Sequence, residues 1–155
     1  MIAGVRPFIS TLAGSLDKKG RVCIPAPYRQ LLIAQSTEGV YACPSFSEPA
    51  LECFGDVVLQ SFHEQQAKED PFFAPANDDK TFAILAMTQL LAIDETGRVR
   101  LPDSLIEHAG LKETVTFVGM GRKFQVWDQE RFAAVLNERL ARARTIRDTQ
   151  KPGAP

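Results

Sequence analysis

Two stretches of this chain carry nearly the same ten residues: Leu16–Pro25 reads LDKKGRVCIP, and Ile93–Pro102 reads IDETGRVRLP. Five of the ten positions are identical, and two more exchange one aliphatic residue for another. Self-similarity at a fixed separation is typical of an internal duplication. We therefore expect the two halves to fold alike, and the second copy to mirror what the first copy does.

The local signals around each copy predict the same β-β-α-β-β unit. A short strand enters an Asp-x-x-Gly-Arg turn, whose glycine tolerates the positive φ of a tight turn, and a second strand ends at a proline. A helix follows in each half, with Asp103 and Ser104 expected to cap the second one and Gly110 to end it. The expected helices cover 27–34 and 103–109, and the expected later strands cover 39–43, 51–54, 114–118 and 123–127, the last being half-buried by its alternation.

A longer helix is expected to close each half, near 56–67 and near 128–147, with Asp128 as the N-cap of the second. The second helix carries an apolar stripe that predicts core or subunit packing: Phe132, Val135, Leu136 and Leu140. The predicted division of the chain is a first repeat at 8–69, a connector at 70–84, a second repeat at 85–147 and a flexible tail at 148–155.

The expected fold class is α+β, mainly β, with flanking helices. Strands of four to six residues cannot bury a unit of about fifty residues alone, so we expect the two units to interdigitate into one barrel with exchanged hairpins. Duplication within one chain then replaces dimerisation, and a pseudo-twofold axis relates the two turns.

Composition excludes several classes of protein. Hydrophobic residues make up 45% of the chain and charged residues 24%, as in ordinary globular proteins. No segment has the apolar length of a membrane span, and the N-terminus lacks a secretory signal, so a cytoplasmic location is expected. Three cysteines without a C-x-x-C pair argue against disulfides and zinc, and all three are interpreted as small buried hydrophobic residues: Cys23, Cys43 and Cys53.

Catalysis, metal chemistry and a bound cofactor are not expected. Asp17 and Asp94 could resemble a carboxylate dyad that shares a proton, but each has an arginine four residues later, which favours full ionisation. His63 and His108 are isolated from other metal-ligating side chains. The sequence therefore predicts a protein that is not an enzyme and has no small-molecule substrate.

Charge is segregated along the chain, although the formal net charge is only −1. The segment 15–29 has a balance of +3, whereas 48–79 has a balance of −7. A turn that carries Lys18, Lys19 and Arg21 could enter the major groove of double-stranded DNA as part of a thin ribbon. Arginine can bind guanine through two hydrogen bonds, and lysine can bind guanine or a phosphate.

Other residues of the turns are expected to support this contact. Gly20 lets the backbone approach DNA closely, and Asp17 could brace the guanidinium of Arg21. In the second turn Glu95 and Thr96 replace the lysines, so the first turn should dominate. Arg98 either contacts DNA or braces the fold through Asp94, with Gly97 in the turn. The structural alternative is a solvated turn in which Asp and Arg only brace each other.

The chain resembles the MraZ family, whose members carry two Asp-x-x-x-Arg repeats, here 17–21 and 94–98. The resemblance continues through the following motifs and covers about 8–144: 99–102 (VRLP), 108–111 (HAGL), 118–121 (VGMG) and 124–128 (FQVWD). It implies an AbrB-like swapped-hairpin barrel made from both halves, a ring-like homo-oligomer, and DNA binding at short direct repeats.

The same resemblance implies a nucleoid-associated transcriptional regulator at the start of a division and cell-wall gene cluster. Its DNA-facing residues would be Lys18, Lys19, Gly20 and Arg21. The alternative is an oligomeric protein-interaction module that does not bind DNA and uses the basic C-terminal helix: Arg139, Arg142, Arg144 and Arg147.

Overall fold

The structure is a computed structural model that describes residues 5–68, 72 and 75–150, except for the side chains of 75–77. It is a mixed α/β fold with antiparallel strands. The strands are β1 (Thr11–Ser15), β2 (Arg21–Cys23), β3 (Gly39–Pro44), β4 (Ala50–Phe54), β5 (Gln89–Ala92), β6 (Arg98–Arg100), β7 (Thr114–Gly119) and β8 (Phe124–Asp128). The helices are α1 (Ala26–Ala34), α2 (Asp56–Ala67), α3 (Pro75–Thr81), α4 (Asp103–Ala109) and α5 (Gln129–Thr149), and a π-helix (Phe82–Ala86) continues α3.

Pairing between the halves organises the strands. Six of them form one sheet in the order β1-β7-β8-β4-β3-β5, and β2 pairs with β6 in a separate two-stranded sheet. Four pairs join a strand of the first half to a strand of the second: β1–β7, β2–β6, β3–β5 and β4–β8. The order of the large sheet is unchanged when each first-half strand is exchanged for its counterpart in the second half.

The described strands do not form a closed barrel. The large sheet is open, with β1 and β5 at its edges, because within the described part of the chain β2 and β6 form a separate two-stranded sheet. Strands β1 and β2 likewise do not form a full hairpin. They meet only at the bridge between Leu16 and Val22 and at the turn hydrogen bond from Asp17 N to the carbonyl of Arg21 (2.9 Å).

A single apolar core takes side chains from both halves. Phe8, Tyr28 and Phe124 form an aromatic cluster, with ring centroids 4.8 to 5.3 Å apart. Val22 and Val99, on the inner face of the β2–β6 pair, are each 1% exposed. The two halves therefore share one core and bury apolar surface that neither could bury alone.

The predicted elements lie within two residues of those in the structure, but several local predictions are wrong. Pro102 occupies the N-cap position of α4, and no side chain caps the helix, so Asp103 and Ser104 do not have the predicted role. Gly110 ends α4 at φ 59°, as predicted. Strand β8 is buried throughout because it lies between β7 and β4 in the middle of the sheet.

Predictions about the cysteines and about α5 are corrected in part. Cys43 and Cys53 are buried, which raises the pKa of both thiols, whereas Cys23 is exposed because it points away from the core on the outer face of β2. Asp128 caps α5 and accepts a hydrogen bond from Arg131 N, as predicted. The apolar stripe of α5 does not belong to the core, because no residue of this helix is buried, and packing against another subunit stays a prediction.

The predicted connector at 70–84 contains helix α3 and part of the π-helix. Its residues 70, 71, 73 and 74 lie outside the described residues, as do 151–155 of the predicted flexible tail. Residues 148 and 149 of that tail belong to α5. Among the described helices, none combines the length and the apolarity needed to cross a membrane.

Tyr28 offers a test of the shared core. Its hydroxyl lies 2.9 Å from the carbonyl of Ile9 and 2.8 Å from that of Ser10, and its ring is buried. We expect Tyr28→Phe to lower the free energy of unfolding by about 0.5–1.5 kcal/mol, because the mutation removes this hydrogen bond and keeps the ring. Urea unfolding measures the effect, and an unchanged stability would contradict this role for the hydroxyl.

Candidate nucleic-acid interface

The first turn, residues 17–20, is organised around the side chain of Asp17. Its Oδ1 accepts hydrogen bonds from the backbone N–H groups of Lys19 and Arg21, both at 2.9 Å, and its Oδ2 accepts one from Arg21 Nε at 2.8 Å. Gly20 has φ +79°, and its N–H donates to the carbonyl of Asp17. These hydrogen bonds, first of all the one from the backbone of Arg21, lower the pKa of Asp17.

The second turn, residues 94–97, repeats this backbone geometry with different side-chain partners. Asp94 Oδ1 accepts from the N–H groups of Thr96 (2.8 Å) and Arg98 (2.9 Å) and from the Thr96 hydroxyl (2.7 Å). Gly97 has φ +85°. The pKa of Asp94 is lowered, chiefly by the Thr96 hydroxyl. No ion pair between Asp94 and Arg98 is found in the described part of the chain, so the arginine side chain is not braced as Arg21 is.

Each turn rests on the helix of the other half. Ile106 of α4 lies beneath Gly20, so that a Cβ atom added to this glycine would be 3.4 Å from the Ile106 side chain. Arg29 of α1 occupies the matching position under Gly97, and its Nη1 donates to the carbonyl of Ile24 at 2.7 Å. Arg29 is not among the predicted site residues, although it stands four residues after Pro25 as Ile106 stands four after Pro102.

The pairing of β2 with β6 places arginines from both halves on one surface. Arg21 is opposite Arg100, and Arg98 is opposite Cys23. Because side chains alternate along a strand, these residues point away from the buried pair of Val22 and Val99. We call β2, β6 and the two turns the cationic ribbon.

The structure brings the predicted site residues together on this ribbon. Lys18 and Lys19 are exposed at the first turn, and the side chain of Arg21 is 32% exposed. Arg98 and Arg100 are exposed on β6. The two turns lie at opposite ends of the ribbon, because hydrogen bonds from Leu101 N to Gly20 O (2.8 Å) and from Ile24 N to Gly97 O (2.9 Å) extend the pairing at each end.

The ribbon has an excess of positive charge, with five cations against Asp17, Asp94 and the exposed Glu95. The two aspartates are held by hydrogen bonds within their turns, which leaves the lysines and the outer arginines facing solvent. Such a surface can bind a polyanion. Among the described residues, no group of three His, Cys, Asp or Glu side chains is arranged to hold a metal ion.

The acid stability of the protein should depend on Asp17. Its pKa in the folded protein lies below the unfolded value of about 3.9, so its stabilising effect is present above that pH and is lost as pH falls through the folded pKa. We expect Asp17→Asn to be less stable than the native protein at pH 7 and the difference to shrink below about pH 4. Urea unfolding at several pH values measures this; a difference that does not change with pH would contradict it.

Two glycines with nearly the same positive φ allow the cost of backbone strain to be separated from the cost of a steric clash. Gly97 and Gly121 have φ +85° and +86°, but a Cβ on Gly97 would lie 2.0 Å from Nη1 of Arg29, whereas one on Gly121 would have no atom within 4 Å. We expect Gly121→Ala to lower the free energy of unfolding by about 1–2 kcal/mol. Gly97→Ala should cost roughly 1 kcal/mol more, because Arg29 must leave the carbonyl of Ile24. Equal losses would contradict this packing.

Comparison with known proteins identifies the family of this chain. Residues 84–151 match the model of the family described as "MraZ protein, putative antitoxin-like". The chain is 40% identical to the transcriptional regulator MraZ of Azorhizobium caulinodans, with 95% of this chain and 93% of that protein aligned. The identity is 39% to the same regulator of Xanthobacter autotrophicus (90% and 88% aligned) and 35% to that of Rickettsia canadensis (84% and 87%). The chain belongs to the MraZ family.

Proposed function

We propose that this protein is a sequence-specific DNA-binding transcriptional regulator that reads the major groove with its cationic ribbon. The observation that carries the proposal is the shared outer face of Arg21, Arg98 and Arg100, with two exposed lysines at one end. The major groove is about 12 Å wide and admits a two-stranded ribbon. The names of the relatives, all transcriptional regulators, support the same role.

Arg21 is suited to base recognition because it is held in place before DNA binds. Its hydrogen bond to Asp17 uses Nε, so this bond does not occupy the two terminal nitrogens that can donate to O6 and N7 of guanine. The ion pair restricts the side chain, which lowers the entropy lost on binding. Lys18 and Lys19 then neutralise phosphates or contact guanine, and Gly20 keeps the backbone free of a side chain at the tip.

The second turn contributes less direct contact in this proposal. Glu95 is exposed there, and its carboxylate repels a phosphate that the lysines of the first turn attract. Arg98 and Arg100 add positive charge on the strand between the turns. The first turn is therefore the main reading element, and Arg98 supports it.

One ribbon offers few contacts, so we also propose assembly into a ring-like homo-oligomer that binds short direct repeats upstream of its own division and cell-wall gene cluster. When a ring holds several ribbons at a fixed spacing, the first ribbon that binds keeps the others close to the DNA. Each later contact is then intramolecular, which raises the apparent affinity. Closed head-to-tail interfaces would make such a ring. The proposed unit is a pseudo-twofold swapped-hairpin arrangement of the AbrB type, associated with the nucleoid in the cytoplasm.

The basic end of α5 is a weaker candidate for the binding surface. Three of its four arginines are paired with carboxylates: Arg139 with Glu48, Arg142 with Glu138 and Arg147 with Asp148. These pairs are partly exposed and contribute little to stability, but they reduce the positive charge that the helix offers a partner. The ribbon is favoured because its outer arginines and lysines carry no such pairs apart from that of Arg21 with Asp17 among the described residues.

Binding to DNA from upstream of the gene, measured over a series of salt concentrations, tests the proposal. Arg21→Lys keeps the positive charge but removes the two terminal guanidinium nitrogens that can donate to guanine. Binding to the specific site should therefore weaken by about 1–3 kcal/mol, while binding to random DNA changes little. Lys18→Ala and Lys19→Ala should weaken binding to all sequences and reduce the salt slope by about one each.

Arg144→Ala is the matched control, because it removes an arginine of α5 that has no ion pair within the described residues. We expect it to leave affinity and salt slope almost unchanged. Native affinity in Arg21→Lys, or equal losses in Arg144→Ala and Lys18→Ala, would contradict recognition by the ribbon.

A further inference from the structure

A small exposed side chain on the outer face of the ribbon, Cys23, adjoins two arginines. Its partner across the β2–β6 pair is Arg98, so the two side chains are neighbours on the same face. The guanidinium of Arg29, from helix α1, reaches the same side chain, and its Nη1 lies 3.5 Å from Cys23 Sγ. Two cations from different elements therefore meet beside one uncharged residue.

The backbone around the second turn fixes the position of Arg29. Its Nη1 donates to the carbonyl of Ile24 at 2.7 Å. The guanidinium lies against Gly97, where a Cβ atom would clash with Nη1, and Ile24 N donates in turn to the carbonyl of Gly97. The guanidinium is thus held in place before a ligand binds, which lowers the entropy lost on binding.

Arg29 keeps two further nitrogen atoms that can bind an anion. Its Nε and Nη2 form no hydrogen bond with the described residues. Both atoms reach solvent: Arg29 is half-buried, and among the described residues the buried side-chain atoms without a partner are Ser45 Oγ and Glu52 Oε1. Nε and Nη2 lie on one edge of the guanidinium and can donate in parallel to two oxygen atoms of a phosphate.

Nearby carboxylates do not pair with these arginines. Glu38, Asp94 and Glu95 line the same surface depression as Arg29, but within the described part of the chain none forms an ion pair with Arg29 or Arg98. Strands β2 and β6 themselves carry no acidic residue. An anion over Cys23 would therefore have two cations beside it, and the carboxylates would lower its affinity without neutralising either cation directly.

We propose that Arg29 and Arg98 bind one phosphate of the DNA backbone over Cys23, at the end of the ribbon opposite Lys18 and Lys19. This inference rests on the proposed function and gives the second half of the ribbon a defined contact. Arg29 donates from Nε and Nη2, and Arg98 adds a second positive charge. Contacts to phosphate carry no sequence information, so this one fixes the register of the ribbon on the duplex while the first turn reads bases.

Binding of the full chain to specific and random duplexes, measured over a salt series, tests the proposal. Arg29→Gln should weaken binding to both duplexes about three- to tenfold and reduce the salt slope by about one, because one phosphate contact is lost. Arg29→Lys keeps the charge and should keep most of the slope. A native slope in Arg29→Gln overturns the proposal, because a merely structural role leaves the number of phosphate contacts unchanged. If Arg29→Gln does not fold, Arg98→Gln on the exposed face of β6 decides by the same criterion.

Arg122→Gln is the matched control. Arg122 also donates one side-chain hydrogen bond, from Nη2 to Ser61 Oγ at 2.9 Å, and it forms no ion pair with a described residue. It lies in the turn between β7 and β8, beside the bridge from Gly121 to Phe8, at the other end of β1 from the first turn. We expect native affinity and a native slope. Equal losses in Arg29→Gln and Arg122→Gln would reflect overall charge and overturn the proposal.

The thiol of Cys23 provides a second measurement that needs no variant. Cys23 is exposed, whereas Cys43 and Cys53 are buried, so iodoacetamide should alkylate Cys23 first. A phosphate bound over this thiol should slow its alkylation severalfold when the native chain is saturated with DNA. An unchanged rate would mean that the thiol lies away from the duplex, and the proposal would be wrong.

Failure of this inference can be told apart from failure of the proposed function. If Arg29→Gln matches the native chain while Lys18→Ala loses affinity, the phosphate contact over Cys23 is wrong and recognition by the first turn stands. If the native chain binds neither duplex, both proposals are wrong.

Discussion

The pairing of β2 with β6 is the interaction on which the rest of the structure depends. It buries Val22 against Val99 and leaves the arginines of both strands on the outer face. A register shift of one residue would turn the arginines toward the core, where unpaired charges are very costly. The apolar core thus fixes which residues of the ribbon face solvent, and this links the stability of the fold to the composition of its charged surface.

The two turns show which part of the duplicated motif is structural. Asp94 closes its turn with the Thr96 hydroxyl and backbone N–H groups, without an ion pair to Arg98. The aspartate, the Thr96 hydroxyl and the glycine with positive φ therefore hold this backbone without an ion pair to the arginine. In the first turn, the hydrogen bond between Asp17 and the guanidinium of Arg21 is added to this backbone structure. It orients the arginine beside two exposed lysines. Bracing of the turn and contact with DNA are compatible roles for the same residues.

Features encoded by nearby residues could be predicted from the sequence, whereas features set by distant pairing could not. The turns, the strand and helix positions and the end of α4 at Gly110 follow from local glycine, proline and apolar patterns. Burial of β8 depends on its central place in the sheet, and exposure of Cys23 depends on which face of β2 meets the core. The packing of Arg29 under Gly97 joins opposite halves, so no local pattern indicates it.

The proposed DNA binding is compatible with a net charge of −1, because charge is segregated along the chain. The cations of the ribbon lie on β2, β6 and the two turns, whereas the described acids of 48–79 lie on β4, α2, α3 and the loop between β3 and β4. At physiological salt, exposed charges interact over only about 8 Å. The charge of the ribbon therefore matters most when the ribbon itself is the part of the protein closest to the DNA. An approach through the acidic segment brings like charges together and is repelled. In the proposed function, the local charge of the ribbon, rather than the net charge of the chain, therefore governs how the braced Arg21 meets the duplex.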